Sequence, residues 1–325
     1  MHPAFSVIFL TTLIGVGQGL FLALFTAQSY SAFNLLPDPG AQFYVQGSMI
    51  AFLFLVGGLF SSFFHLGRPE RAWRSATRWR TSWLSREVIV LPAFMGTVVL
   101  YGLIHWIGWR PVLLTLPSGL PVDPTAVLGV AGTVLAFSLF ICTAMIYACL
   151  KFLREWHSPL TVINYILLGG ASGFTLASVL AAAEAQELTR FYTGWAIILT
   201  LLGLLTRGAS LIRNHRLKPK STLQTALGVK HPRIVQTTQG FMGGSFNTRE
   251  FFHGKTASFL RSVKWIFLLL AFVLPAALLG VSFSELSISL LILAFMVQYA
   301  GLIAERWFFF AQANHPQNLF YQSVA

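Results

Sequence analysis

The residues with chemistry to offer cluster between two long apolar runs, in the stretch FFHLGRPERAWRSATRWRTSWLSRE from Phe63 to Glu87. It holds one histidine, His65, six arginines (Arg68, Arg71, Arg74, Arg78, Arg80 and Arg86) and two acids, Glu70 and Glu87, among three tryptophans. A histidine titrates near neutral pH and can donate or accept a hydrogen bond. Beside Phe60, Phe63 and Phe64, His65 suits a lipophilic ring. On residue type alone, an interfacial histidine snorkelling toward the headgroups is the stronger reading. Glu87 is equally two-sided. A carboxylate opening a helix favours its N-terminus, whereas one paired with an arginine can accept protons. The arginines and tryptophans fit anionic lipid or an acidic protein face.

Glu305, in GLIAERWFFF, falls inside the last apolar run. An acid there is costly and marks a functional site by default, although the adjacent Arg306 equally allows a structural ion pair. Gln18, Asn164 and Gln298 are polar residues of the kind that bond helix to helix within a membrane.

A bis-histidine haem needs two histidines at matching depth on different helices. His65 and His105 sit near opposite ends of their runs, and the other six histidines fall in loops or tails. Cys142 and Cys149 lack metal-site spacing and read as small buried apolar side chains. The expectation is no haem, no iron–sulfur cluster and no metal in this chain, and no phosphate-binding loop.

The elements that must position these groups follow from composition. Of 325 residues, 55% are hydrophobic and 10% charged, with mean hydropathy +0.69. A soluble domain carries roughly 25% charged residues, so this is an integral membrane protein. A span needs about 20 apolar residues. Eight runs qualify, near Phe5–Ser29, Phe43–Phe64, Glu87–Trp109, Thr125–Leu150, Leu160–Ala183, Phe191–Ile212, Val263–Phe283 and Ile288–Ala311. The first contains GVGQG, whose glycines allow close helix approach. The expected fold is an all-α bundle of eight transmembrane helices, a single polytopic domain over 1–325, with short loops and one long basic loop at 213–260.

The net charge of +12 could suggest nucleic acid, but its placement excludes that. Phe63–Glu87 nets +4 and Arg207–Lys264 nets +10, leaving −2 elsewhere. Basic loops face the cytoplasm. Placing these two and the Lys151/Arg154 loop inside puts both termini in the cytoplasm. No basic region precedes the first run, so no cleavable signal peptide is expected.

The run FHLGRPERAWRSATRWRTSWLSREVI closely resembles the membrane-anchor subunits of the dimethyl-sulfoxide-reductase type. The resemblance rests on His65-Leu66-Gly67, Pro69, Arg71-Ala72 and Ser85-Arg86-Glu87, and the eight spans extend it across nearly the whole chain. The long loop containing FNTREFFHG and the ending AERWFFFAQANHPQNLFYQ look more like the anchors of cytoplasmic sulfite-oxidising (Soe-type) complexes. The resemblance implies a bacterial inner-membrane subunit without a metal of its own. It would hold a molybdopterin catalytic subunit and an iron–sulfur subunit at the bilayer and exchange electrons with quinone. It also implies a quinone site at His65, Glu87 and Arg71, and subunit docking through Arg68, Arg74, Arg78 and Arg80. Three alternatives remain open: a reductase anchor fed by quinol, a purely structural anchor, and a small-solute transporter. The last would want charged or broken mid-span helices and an inverted repeat, and apart from Glu305 the sequence has neither.

Overall fold

The computed structural model describes residues 1–117, 119, 121–219, 221–237 and 250–321. Eight helices are long and apolar enough to cross a membrane. They are α1 (Phe5–Ala32), α2 (Ala41–Ser62, prolonged by a 3-10 turn to His65), α3 (Trp83–Ile107), α4 (Pro124–Ala148), α5 (Pro159–Glu184), α6 (Thr189–His215), α7 (Ala257–Glu285) and α8 (Ile288–Ala311). The all-α bundle expected from the apolar runs is therefore the fold. Strand is confined, among the described residues, to the small hairpin Leu114–Thr115 with Pro121–Val122 in the α3–α4 connection.

Local sequence fixes the helix ends. Ser82, Asp123 and Ser158 accept bonds from backbone N–H groups in the first turns of α3, α4 and α5, the usual role of short polar side chains at an N-cap. Pro124 and Pro159 open their helices, where a missing N–H costs nothing. Gly108 ends α3 in the left-handed conformation, φ 73°, which glycine adopts without strain.

Helices α1 and α5 form the centre. α1 packs on α2, α4, α5 and α8, and α5 on α4, α6 and α8. The glycines of α1 make this contact possible. Gly15 and Gly19 face Gly169 and Gly173 of α5, and a methyl group at Gly19 or Gly173 would overlap the opposite backbone. This is the small-residue interface by which membrane helices approach closely. α7 carries a π-helical turn at Leu269–Val273, just before Pro275. Gly301 of α8 abuts the backbone at Leu270 and Ala271.

The polar residues of the apolar runs join helices as expected. Gln18 donates to the Ala136 carbonyl (2.8 Å), Asn164 accepts from Thr206 (2.8 Å), and Gln298 donates to Thr200 (3.0 Å). Of the two cysteines, Cys142 is buried as expected, but Cys149, at the C-terminal cap of α4, is exposed.

The 213–260 loop is shorter than the charge pattern suggested, since α6 runs to His215 and α7 begins at Ala257. Its FNTR portion lies outside the described residues. The α4–α5 linker is clamped to the end of α6. Arg213 donates to the Arg154 and His157 carbonyls, and Asn214 to that of Glu155.

Candidate functional site

Consecutive spans run in alternate directions. The C-terminal ends of α2, α4, α6 and α8 therefore share one face with the N-terminal ends of α1, α3, α5 and α7. Every residue singled out in Phe63–Glu87 lies toward this face, as do Glu305 and Arg306.

His65 ends the 3-10 extension of α2 and is exposed. Phe60 and Phe64 beside it are in edge-to-face contact at 5.4 Å, and Phe64 is 74% exposed. The histidine thus stands at a bare aromatic edge. The next segment, Pro69–Arg78, is a 3-10 helix with no buried residue. Arg68, Arg71, Arg74, Arg78 and Arg80 are all exposed. Arg74 lies over Trp73 and Arg80 over Trp79, at 5.5 and 5.4 Å, a contact in which a cation rests on an aromatic face. Arg71 is 3.9 Å from Glu70. Arg86 serves the loop itself, donating to the Trp79 and Arg80 carbonyls at 2.9 Å.

Glu87 behaves differently from the sequence expectation. α3 begins at Trp83, so Glu87 lies just over a turn inside the helix and does not open it. It is 6% exposed. Its partner is a hydroxyl and not an arginine: Thr143 Oγ1 of α4 donates to Glu87 Oε1 at 2.6 Å. No hydrogen bond or ion pair joins His65, Arg71 and Glu87 to one another among the described residues. The structure places them at one end of the α2–α3 pair without bringing them into contact.

Glu87 instead lines a cavity of about 20 Å³ between α1, α3, α4, α5 and α8, with Thr11, Thr12, Gln18, Tyr165 and Arg306. That is room for a single water molecule in a polar setting. Two residues singled out separately in the sequence, Glu87 and Arg306, the neighbour of Glu305, therefore meet at one cavity.

Glu305 has a second partner that the sequence did not reveal. Arg207 Nε of α6 lies 2.7 Å from Glu305 Oε1, and Arg306 Nε lies 2.9 Å from Oε2. Arg207, counted with the basic loop on charge grounds, is thus a buried residue within α6. Arg306 also lies over the Tyr165 ring at 4.0 Å. An Arg–Glu–Arg triad in the bundle keeps every buried charge next to an opposite one, the condition for tolerating charge in hydrocarbon. Hydropathy hid Arg207, because a single arginine near a span end is indistinguishable from a topology signal. Thr143 gave no signal at all.

A model of the family described as "DMSO reductase anchor subunit (DmsC)" matches residues 1–322. The chain is also 58% identical over all 325 residues to a sulfite dehydrogenase subunit of Allochromatium vinosum, covering the whole of both chains. With eight spans, an arginine-rich edge after α2 and a match over nearly its full length, this multi-pass membrane protein belongs to the DMSO reductase anchor subunit family.

Proposed function

We propose that this chain is the quinone-interacting anchor of a molybdopterin oxidoreductase complex that passes electrons from cytoplasmic sulfite oxidation to the quinone pool. The observation that supports the quinone part is spatial. A histidine at a bare aromatic edge, an exposed arginine and tryptophan surface, and a buried carboxylate beside a water-sized cavity all lie toward one face. The sulfite part is carried by the full-length relative named as a sulfite dehydrogenase subunit.

In this reading the molybdenum and iron–sulfur centres belong to two other subunits and supply electrons. Reduction of a quinone to a quinol takes two electrons and two protons. His65 would donate a hydrogen bond to a quinone carbonyl and stabilise the negative charge that develops on that oxygen. The exposed Phe60 and Phe64 would hold the ring and its tail. Glu87, bonded to Thr143 and open to the cavity, would hold a proton for the quinone oxygen. Arg71 would attract the reduced head from the loop side. Arg68, Arg74, Arg78 and Arg80 would dock the iron–sulfur subunit. The face carrying them would be cytoplasmic, in a bacterial inner membrane, with both termini on that side.

The family description names dimethyl sulfoxide reductase, which would run the same site from quinol toward the catalytic subunit. Purification of the tagged chain from its own membranes separates the readings. The proposal expects a molybdenum subunit and an iron–sulfur subunit to co-elute and sulfite to reduce added quinone. Quinol-driven sulfoxide reduction without sulfite oxidation would favour the reductase, and elution without either subunit would contradict both.

A further inference from the structure

The opposite membrane face carries a second cleft, of about 670 Å³, walled by the end of α1, the α1–α2 loop, α2, the α3–α4 hairpin and the start of α4. This volume is in the range of pockets that take small ligands. Three charged side chains, Asp38, Arg110 and Asp123, line it together with Tyr44 and the polar Gln28, Ser29 and Ser31.

No ion pair within 4.0 Å links Asp38, Arg110 or Asp123 to a charged partner among the described residues. Arg110 is instead fastened by His105, whose Nδ1 lies 2.6 Å from Arg110 Nη2. His105 is itself buried and stacked on Tyr44 at 4.3 Å. Asp123 caps α4 through Oδ1. Tyr44 is 1% exposed, and its hydroxyl, which faces Ser31, makes no hydrogen bond within 3.5 Å. Ser31, which also lines the cleft, donates to the Pro37 carbonyl at 2.9 Å. A buried hydroxyl whose bonding is incomplete is costly, and this one borders an open cleft.

The apolar wall points to the kind of ligand. Val127 and Val130 descend one face of α4 from its capped end and are 47% and 57% exposed, and Phe25 stands opposite on α1. Trp106 and Trp109, both exposed at the end of α3, mark the interfacial level where indoles gather. The charges thus sit at headgroup depth and the valines lead into the hydrocarbon.

We propose that this cleft is a binding site for a zwitterionic phospholipid with a phosphoethanolamine head. Arg110 and the Tyr44 hydroxyl bind the phosphate. Asp38 and Asp123 receive the primary ammonium group. The acyl chains lie along Val127, Val130 and Phe25. A neutral quinone head would leave three charges unanswered, and an anionic head without an ammonium group would face two carboxylates. The site is independent of the quinone reading, since it lies at the other end of the spans.

The test is native mass spectrometry of the full chain exchanged into detergent with palmitoyl-oleoyl phosphatidylethanolamine or phosphatidylglycerol. The proposal expects the ethanolamine lipid to be retained about tenfold more strongly, a difference of roughly 1.4 kcal/mol. Arg110→Gln should lose the bound lipid. Asp38→Asn, at an exposed loop position, should keep phosphate binding but reduce the preference between lipids, because Asp123 remains as the one carboxylate. Equal retention of both lipids by the unaltered chain would overturn the proposal. So would undiminished ethanolamine-lipid binding by folded Arg110→Gln protein, or displacement of the lipid by added quinone.

Discussion

Arg207 Nε and Glu305 Oε1 lie 2.7 Å apart with both side chains 1% exposed, joining α6 to α8. Arg306 on the other carboxylate oxygen makes the group a triad of net charge +1. Removing one member of a buried ion pair costs about 3–5 kcal/mol because the other charge remains. Here the order of costs is predictable. Arg207→Met leaves Glu305 matched one to one by Arg306, whereas Glu305→Gln leaves two buried guanidinium groups unmatched. Thermal unfolding in detergent should therefore show Glu305→Gln as the more damaging change by about 2 kcal/mol or more. The reverse order would mean that the triad is not what holds these helices together.

The α1–α5 seam gives a second prediction. Gly173 packs against the Gly19 backbone with no room for a side chain. Gly173→Leu should prevent the two central helices from closing, and even Gly173→Ala should cost about 1–3 kcal/mol as an overpacked contact. Gly208, where an added methyl meets nothing, is the control, and Gly208→Ala should fold normally. Equal yields of folded protein from Gly173→Ala and Gly208→Ala would contradict the packing described.

The C-terminal segment carries a pH dependence. His315 stacks on Phe251 with centroids 3.7 Å apart, and burial lowers its pKa below the ordinary histidine value. An unfolded histidine titrates near about 6.5. Because the folded pKa is the lower one, the stack contributes fully above that pH and weakens as pH falls through the folded value. Protection from hydrogen exchange across 314–320, taken relative to the intrinsic rate at each pH, should be greater at pH 7.5 than at pH 5.5, and His315→Phe should remove the difference. Exchange that is faster at the higher pH, once corrected for intrinsic rates, would reverse the sign argued here.

Orientation is testable independently of function. Reporter fusions at Asp38, between α1 and α2, and at Glu187, between α5 and α6, should both report the side opposite the arginine-rich segment. Cytoplasmic reporter activity at either position would overturn the proposed topology.

Much of this was legible in the sequence. Eight apolar runs specify eight spans, because membrane helices must satisfy their backbones internally and cannot be shorter than the hydrocarbon they cross. GVGQG announced a close helix contact, and Gln18, Asn164 and Gln298 bridge helices as residues of their type should. What was not legible is which partner each polar residue meets. Glu87 was expected at a helix start, but Ser82 begins that helix one turn earlier. Its Thr143 contact depends on how α3 packs on α4. Arg207 was masked by its neighbours' charge. Tyr44, His105 and Arg110 form their cluster only when the ends of α2 and α3 are brought together.

The quinone role of His65 is decided by the pair of activities that the purified complex shows when it carries His65→Arg. Sulfite-dependent reduction of an artificial dye reports the catalytic and iron–sulfur subunits, whereas sulfite-dependent reduction of quinone also requires the anchor. Dye reduction should stay within about twofold of normal and quinone reduction should fall by roughly 100-fold, in the range expected for losing one directed hydrogen bond to developing charge. Normal quinone turnover in that variant would remove His65 from the site.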